Sequence, residues 1–353
     1  MWHSPPPPSP WVGMQVLDAF CGAGGFSAGA MAAGCSVLMG IDSDSVPLKL
    51  WAANTGGRAV HACLGRDEID WPEARPDLHV HLSPACTQLS RARAGSASPR
   101  DVDAALQMVR WCLELVVERG YHSWSLENVA TPAVVQLVKT IAARHPSAVA
   151  FATVDAADYG SASSRLRLIA STPATIRRLK EQPTLRVSVA DALASAGLPL
   201  PAGHLRSNTV SRNGSPCVRS VQQPAFCVTA SHPLTWCDPG GATVRCLTVA
   251  ESACLMGFPP GWQLPLGSRN GIRAVGNAVP VPLAAAIVRA AMGENAPVGE
   301  AAGASVGASA GASAGASVIN QPTARKLVHR RALRRLKRRV AALERLVAGT
   351  KGS

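Results

Sequence analysis

Between residues 15 and 171 short apolar runs alternate with stretches of helical period, and this alternation restricts the chain to few folds. The runs are Val16 to Phe20, Ser36 to Ile41, Leu78 to Leu82, Trp124 to Leu126, Ala148 to Val154 and Leu166 to Ala170. Helical patterns lie between them, near Phe26 to Ala33, from about Val102 to Glu118, and after Pro132. Short strands interleaved with helices predict an α/β fold, with a doubly wound, mostly parallel, Rossmann-like sheet covered on both faces. After Thr172 the periodicity fades. Residues 200–245, rich in Ser, Thr, Pro, Gly and Cys, predict a small irregular lobe, and regular patterns return at Thr248 to Met256 and after Gly276.

The flanks have a different composition. The expected organisation is a Pro-rich leader over 1–13, a core formed by 14–172 and 246–293, the small lobe over 173–245, a Gly/Ala/Ser linker over 294–323 and a basic helix over 324–353. Arg325 to Lys351 holds eleven Lys/Arg against the single Glu344, so this segment carries ten of the thirteen net positive charges and the body is nearly neutral. Leu333, Leu336, Val340, Leu343 and Val347 follow 3-4 spacing, which predicts an amphipathic helix with Arg330, Arg331, Arg334, Arg335, Lys337 and Arg338 on its other faces. Such a charge block suits nucleic-acid phosphates; a solvated helix or a nuclear-targeting signal are the other readings.

The start of the chain lacks the basic-then-apolar order of a secretory signal, and no purely apolar run reaches the roughly 18 residues of a spanning helix. An intracellular location, cytoplasm or nucleus, with no membrane partner is the expectation. Ten scattered cysteines then stay reduced. Cys217, Cys227, Cys237 and Cys246 fall in one stretch with His232, but without the Cys-x-x-Cys spacing of a zinc site, so buried packing is expected and no metal. Met108, Trp111, His79 and His81 likewise read as packing residues.

Three constellations carry chemistry. Asp18-Ala-Phe-Cys-Gly-Ala-Gly-Gly25 follows a strand and opens a helix, with glycines that admit a ligand close to the backbone, and Asp42 ends the next strand where a carboxylate can accept both ribose hydroxyls. Together they suggest a nucleoside-containing cofactor; a tight structural turn is the alternative. Ser83-Pro-Ala-Cys86 ends the run Leu78 to Leu82, where a cysteine is either a nucleophile or a buried filler. Leu126-Glu-Asn-Val129 follows a neighbouring run and offers an acid and an orienting amide.

In order and spacing these segments resemble the S-adenosylmethionine-dependent cytosine-C5 methyltransferase family. Asp18 to Gly25 resembles its cofactor loop, Pro84 and Cys86 its Pro-Cys loop, and Glu127-Asn-Val129 its Glu-Asn-Val motif. Asp158-Tyr-Gly160 with Arg165 and Arg167, Leu247-Thr-Val-Ala-Glu251 with Gly257-Phe-Pro259, and Gly276-Asn-Ala-Val-Pro280 resemble its later motifs, so the likeness spans about Val16 to Ala290.

The resemblance implies methyl transfer to C5 of a flipped-out cytosine in double-stranded DNA, with Cys86 adding to C6 and Glu127 as the acid at N3. It further implies that Arg165 contacts the flipped base, beside Arg167, and that Asn128 holds the Pro-Cys loop. Phe20, Cys21, Gly22, Ala23, Gly24, Gly25, Asp42, Ser43, Pro84, Asn277 and Val279 are the implied cofactor residues, and the small lobe is the implied target-recognition part.

Three positions depart from the family pattern: Ala85 stands for a proline, Ser163 for a glutamine, and Ala62-Cys63-Leu64 lacks an acid expected to read the adenine. The Cys-Phe-Thr tripeptide associated with a tRNA-modifying branch is absent, Leu255-Met-Gly-Phe258 standing there, which favours DNA over RNA. A catalytically silent DNA-binding homologue is the alternative of a different class.

Overall fold

A computed structural model describes residues 13–90, 97–210 and 215–293. The Pro-rich leader as far as residue 12, the linker and the basic segment with Arg330 to Arg338 lie outside the described residues.

The first half builds β1 (Gln15–Ala19), α1 (Gly25–Ala32), β2 (Ser36–Asp42), α2 (Ser45–Thr55), β3 (Arg58–His61), β4 (Leu78–Leu82), α3 (Pro99–Glu118), β5 (Ser123–Val129), α4 (Pro132–Arg144), β6 (Ala150–Asp155) and β7 (Leu166–Ser171). The seven strands form one sheet in the order β3-β2-β1-β4-β5-β7-β6. Strands β3 to β5 pair in parallel, whereas β7 runs antiparallel to both β5 and β6. The expected parallel sheet therefore departs in one strand, inserted between β5 and β6 by the direct reversal from β6 to β7 through the short turn Ala156–Tyr159.

Buried positions alternate between two layers, which is why the central strands read as continuous apolar runs. Leu17, Val80, Leu82 and Leu126 face the layer that holds Leu113 of α3 and Val138 of α4. Val16 and Ile169 face the opposite layer with Phe26 of α1. That second layer is completed by α5 (Pro173–Lys180) and α9 (Val281–Met292), through Ile176, Leu179, Leu283 and Ile287. Helix α5 thus packs on the body, although its residues were expected in the small lobe.

Strand β5 extends beyond the apolar run Trp124 to Leu126 and includes Glu127 and Asn128, which the sequence placed after a strand. A run-based reading stops at polar residues, but here both are buried and paired within the fold. His79 and His81 are fully buried on β4; their rings bond Ser123 Oγ and Ser125 Oγ at 2.8–2.9 Å, and His81 stacks on Phe26. They pack as expected.

The small lobe contains α6 (Val189–Ser195) and an antiparallel sheet, ordered β11-β10-β8-β9, of β8 (His204–Val210), β9 (Pro216–Ser220), β10 (Thr235–Cys237) and β11 (Thr243–Cys246). It is joined to α7 (Val249–Leu255), whose Thr248 and Glu251 form a reciprocal capping box. Buried Glu251 also accepts from Trp236 Nε1 at 3.1 Å and from both terminal nitrogens of Arg245, which ties α7 to β10 and β11. Helix α8 (Ser268–Asn277) precedes α9. The stretch Ser268–Met292 holds an 18-residue window apolar enough to cross a membrane, with mean hydropathy 1.5, but 78% of that window is buried in the fold and it serves as a core element.

Helix α1 approaches α9 closely through glycine. A Cβ at Gly29 would stand 2.5 Å from Ala284 Cβ and 2.5 Å from the Val281 carbonyl oxygen. Replacement Gly29→Ala is therefore expected to lower the unfolding free energy by about 1–3 kcal/mol through overpacking, measurable by urea denaturation.

Candidate active site

Strand order reverses at β1, with β2 on one side and β4 on the other. The loops after β1 and β4 diverge there and leave a crevice. Phe20 takes a positive φ of 63°, and Gly22 and Gly24 follow at 49° and 83°, so the loop after β1 folds tightly before α1 begins. Asp42, at the end of β2, stitches this loop to the next: its Oδ2 accepts from Gly22 N at 2.8 Å and its Oδ1 from Asp44 N at 2.8 Å. Burial raises the Asp42 carboxyl above its ordinary range while these backbone donors oppose the shift.

On the other side Ser83 ties the loop after β4 to β1, through its N–H to Ala19 O at 3.2 Å and its hydroxyl to Phe20 O at 3.3 Å. Asn128 Nδ2 donates to Pro84 O at 3.0 Å, and Val129 N donates to Asn128 Oδ1 at 2.8 Å. One amide thus fixes the Pro-Ala-Cys loop against β5. Cys86 is partly exposed; burial raises its thiol, and the charge of Arg167 opposes that rise.

These loops enclose a cavity of about 280 Å³. Of the residues singled out on sequence, Phe20, Cys21, Gly22, Ala23, Gly25, Asp42, Ser43, Pro84, Cys86, Glu127, Asn277 and Val279 line it together. Gly24, Asn128, Arg165 and Arg167 do not line it. Gly24 has a separate reason to lack a side chain, because a Cβ there would meet Trp262 and Trp51 at 2.9 and 3.0 Å.

The two arginines differ. Arg167 pairs with Glu127, Nε to Oε1 at 2.7 Å, with both side chains nearly buried, which orients the carboxyl at the cavity wall. Arg165 was expected at the base. Its guanidinium donates to backbone carbonyls, Val228 at 2.7 Å and Gly276 at 2.8 Å, with Ala278 at 3.3 Å. It joins the entry to β7 to the loop after β9 and to the end of α8. Ser163, read as the loss of a polar partner, accepts from Val228 N at 3.3 Å and donates to Phe226 O at 3.0 Å.

Other wall residues received no role from the sequence. Asp44 and Arg273 pair at 3.2 Å across the wall between α2 and α8. Trp262 donates to Ala23 O at 2.8 Å, bracing the glycine loop from the segment after α7. Asp18 stood in the quoted motif, yet its chemistry emerges only from the fold: Oδ2 accepts from Ser27 Oγ at 2.6 Å, whereas buried Oδ1 has no partner. Among the described residues no group of three or more His, Cys, Asp or Glu could hold a metal.

Residues 204–292, from β8 through α9, match the family profile of the C-5 cytosine-specific DNA methylases. Over that stretch the chain is similar to the cytosine-C5 DNA methylases. The Type II methyltransferase M.HindV of Haemophilus influenzae is 25% identical over 299 residues, spanning 77% of this chain and 94% of that protein. Two solved structures share the methyltransferase fold. One, described as a DNA modification methyltransferase encoded within an E. coli prophage, has a TM-score of 0.57 at 18% identity over 79% of this chain and 99% of its own. The other, S. pombe Dnmt2 methyltransferase, has a TM-score of 0.51 at 14% identity over 79% of this chain and 98% of its own.

Burial pushes the Asp18 carboxyl from 3.8 up to about 7, the hydrogen bonds from Ser27 opposing it. Between those values the folded state holds a proton that the unfolded state has released, so stability falls as pH rises through this window. Unfolding of the ligand-free protein should show that decline in denaturant titrations at several pH values, and Asp18→Asn should flatten it.

Proposed function

We propose that the protein transfers a methyl group from S-adenosylmethionine to C5 of a cytosine turned out of double-stranded DNA, leaving S-adenosylhomocysteine. The observation that carries this reading is that Cys86 and Glu127, from the ends of adjacent strands, share one cavity with the glycine loop and Asp42. The wall fits the cofactor chemically: Asp42 is an acceptor for ribose hydroxyls, and the orphaned Asp18 Oδ1 is an acceptor for the cationic end of the amino-acid moiety. S-adenosylmethionine supplies an electrophilic methyl group when bound.

The chain's own residues supply the rest. Cys86 gives up its thiol proton and adds as a thiolate to C6, while Glu127, ionised beside Arg167 in the free protein, takes up that proton and passes it to N3, which draws charge from the ring and makes C5 nucleophilic. Arg167 keeps Glu127 at the wall through their 2.7 Å ion pair. Asn128, through Pro84, keeps Cys86 from drifting as the adduct forms. Loss of the C5 proton to solvent water, expulsion of the Cys86 thiolate and return of the N3 proton to Glu127 then restore the aromatic ring. Because the pocket reaches a base only outside the stack, the duplex must release the target nucleotide.

The small four-stranded lobe is assigned to target recognition, and the protein acts inside the cell, where DNA is. Arg330, Arg331, Arg334, Arg335, Lys337 and Arg338 are assigned to nonsequence-specific phosphate attraction, which raises the local concentration of DNA near the site.

Two experiments test this reading. Methyl-labelled S-adenosylmethionine incubated with unmethylated duplex DNA should place label on cytosine C5, and Cys86→Ala should abolish it; label confined to tRNA offered in parallel would move the protein to an RNA substrate. Removal of residues 294–353 should weaken DNA binding and flatten its dependence on salt, and an unchanged salt slope would remove the basic segment from the interface.

A further inference from the structure

Arg165 and Arg167 are 3% and 7% exposed, and guanidinium groups stay charged in proteins. Two buried cations therefore sit beside the proposed nucleophile. Among the described residues the only carboxylate that meets either guanidinium is Glu127, on Arg167; Asp155 reaches only the backbone N–H of Arg165. Carbonyl dipoles solvate Arg165 but carry no net charge, and a buried charge without a counter-ion is strongly unfavourable. A second anion is required.

Cys227 is placed to be that anion. Its Sγ lies 3.3 Å from Arg165 Nη1, at hydrogen-bonding distance for sulfur. Its backbone is clamped on both sides, since Ser163 Oγ bonds Phe226 O and Val228 N, and Ser164 N donates to Ala225 O at 2.8 Å. The backbone of Cys227 is therefore held beside the arginine by the pairing of two chain segments, and its Sγ also lies 3.7 Å from Val228 O. Arg165 and Arg167 face it directly; Glu127 of β5 and Cys86 of the loop after β4 act on the same two arginines. Ser163 is a polar group on the adjoining segment, and the packed end of α8 contributes the carbonyls of Gly276 and Ala278 to Arg165.

We propose that Cys227 rests as a thiolate, the second counter-ion of the buried arginine pair, and is a positioning residue for Arg165 and the Glu127–Arg167 acid. The two thiols then divide their labour. Burial raises both; at Cys227 the charges of Arg165 and Arg167 outweigh it and hold the thiol below its ordinary range, whereas Cys86 remains above. The free protein keeps its negative charge on Cys227 and its nucleophile protonated until substrate arrives.

The proposal rests on the methyltransferase reading for its effect on turnover, but not for the ionisation itself. Ultraviolet thiolate absorbance of the full chain, titrated against pH in the wild type and in Cys227→Ser, should reveal one thiolate lost in the variant. Its midpoint should lie below the roughly 8.5 of a free thiol. Iodoacetamide labelling of the wild type, mapped by peptide mass spectrometry, should show Cys227 reacting at lower pH than Cys86. In methyl-transfer assays Cys227→Ala should lower kcat about tenfold or more, as misplacement of a reacting group does, with KM for S-adenosylmethionine little changed. Cys227→Asp, a permanent anion, should recover most of that loss and remove its pH dependence. An ordinary thiol midpoint at Cys227, or a Cys227→Ala variant with wild-type kcat, overturns the proposal. A wild type that transfers no methyl group overturns the methyltransferase reading instead, and the titration and labelling still decide the charge on Cys227.

Discussion

The site depends on the reversal of strand order at β1. With β2 and β4 hydrogen-bonded to opposite edges of one strand, the loops that leave β1 and β4 part to either side of a crevice at their carboxyl ends. The loops after β1, β2 and β4 are anchored to that point. Asp42 joins the β1 loop to β2 through two backbone N–H groups, Ser83 joins the β4 loop back to β1, and Asn128 extends the same tie to β5. Loops with positive φ at Phe20, Gly22 and Gly24 hold their shape because these hydrogen bonds over-determine them.

Charge is handled with similar economy. The paired arginines near the end of the sheet do different jobs, one orienting an acid and the other joining three segments through carbonyl oxygens. Arg165 links the β7 entry, the loop after β9 and the end of α8, so the small lobe and the closing helices are positioned by the same side chain that sits beside the acid's partner. The acidic side of the cavity, with Asp18 and Asp42, faces the position assigned to a cationic cofactor, and burial raises both carboxyls.

Much of this was legible in the order of residues. Alternation of short apolar runs and helical periods determined an α/β sheet buried on both faces, because a central parallel strand must be apolar on both sides. Residue types at strand ends marked Asp42, Cys86 and Glu127 at one cavity, and a glycine run marked where the backbone turns tightly before α1. What only the tertiary structure decided concerns partners far apart in sequence. The antiparallel course of β7, the docking of α5 on the body, the commitment of Arg165 to carbonyls more than 60 residues away, and the meetings of Arg273 with Asp44 and of Cys227 with Arg165 leave no periodic trace. A local pattern reports which face of an element is apolar. Which polar atom of one element satisfies another is set by packing across the whole fold, and that is where the chemistry of this cavity was decided.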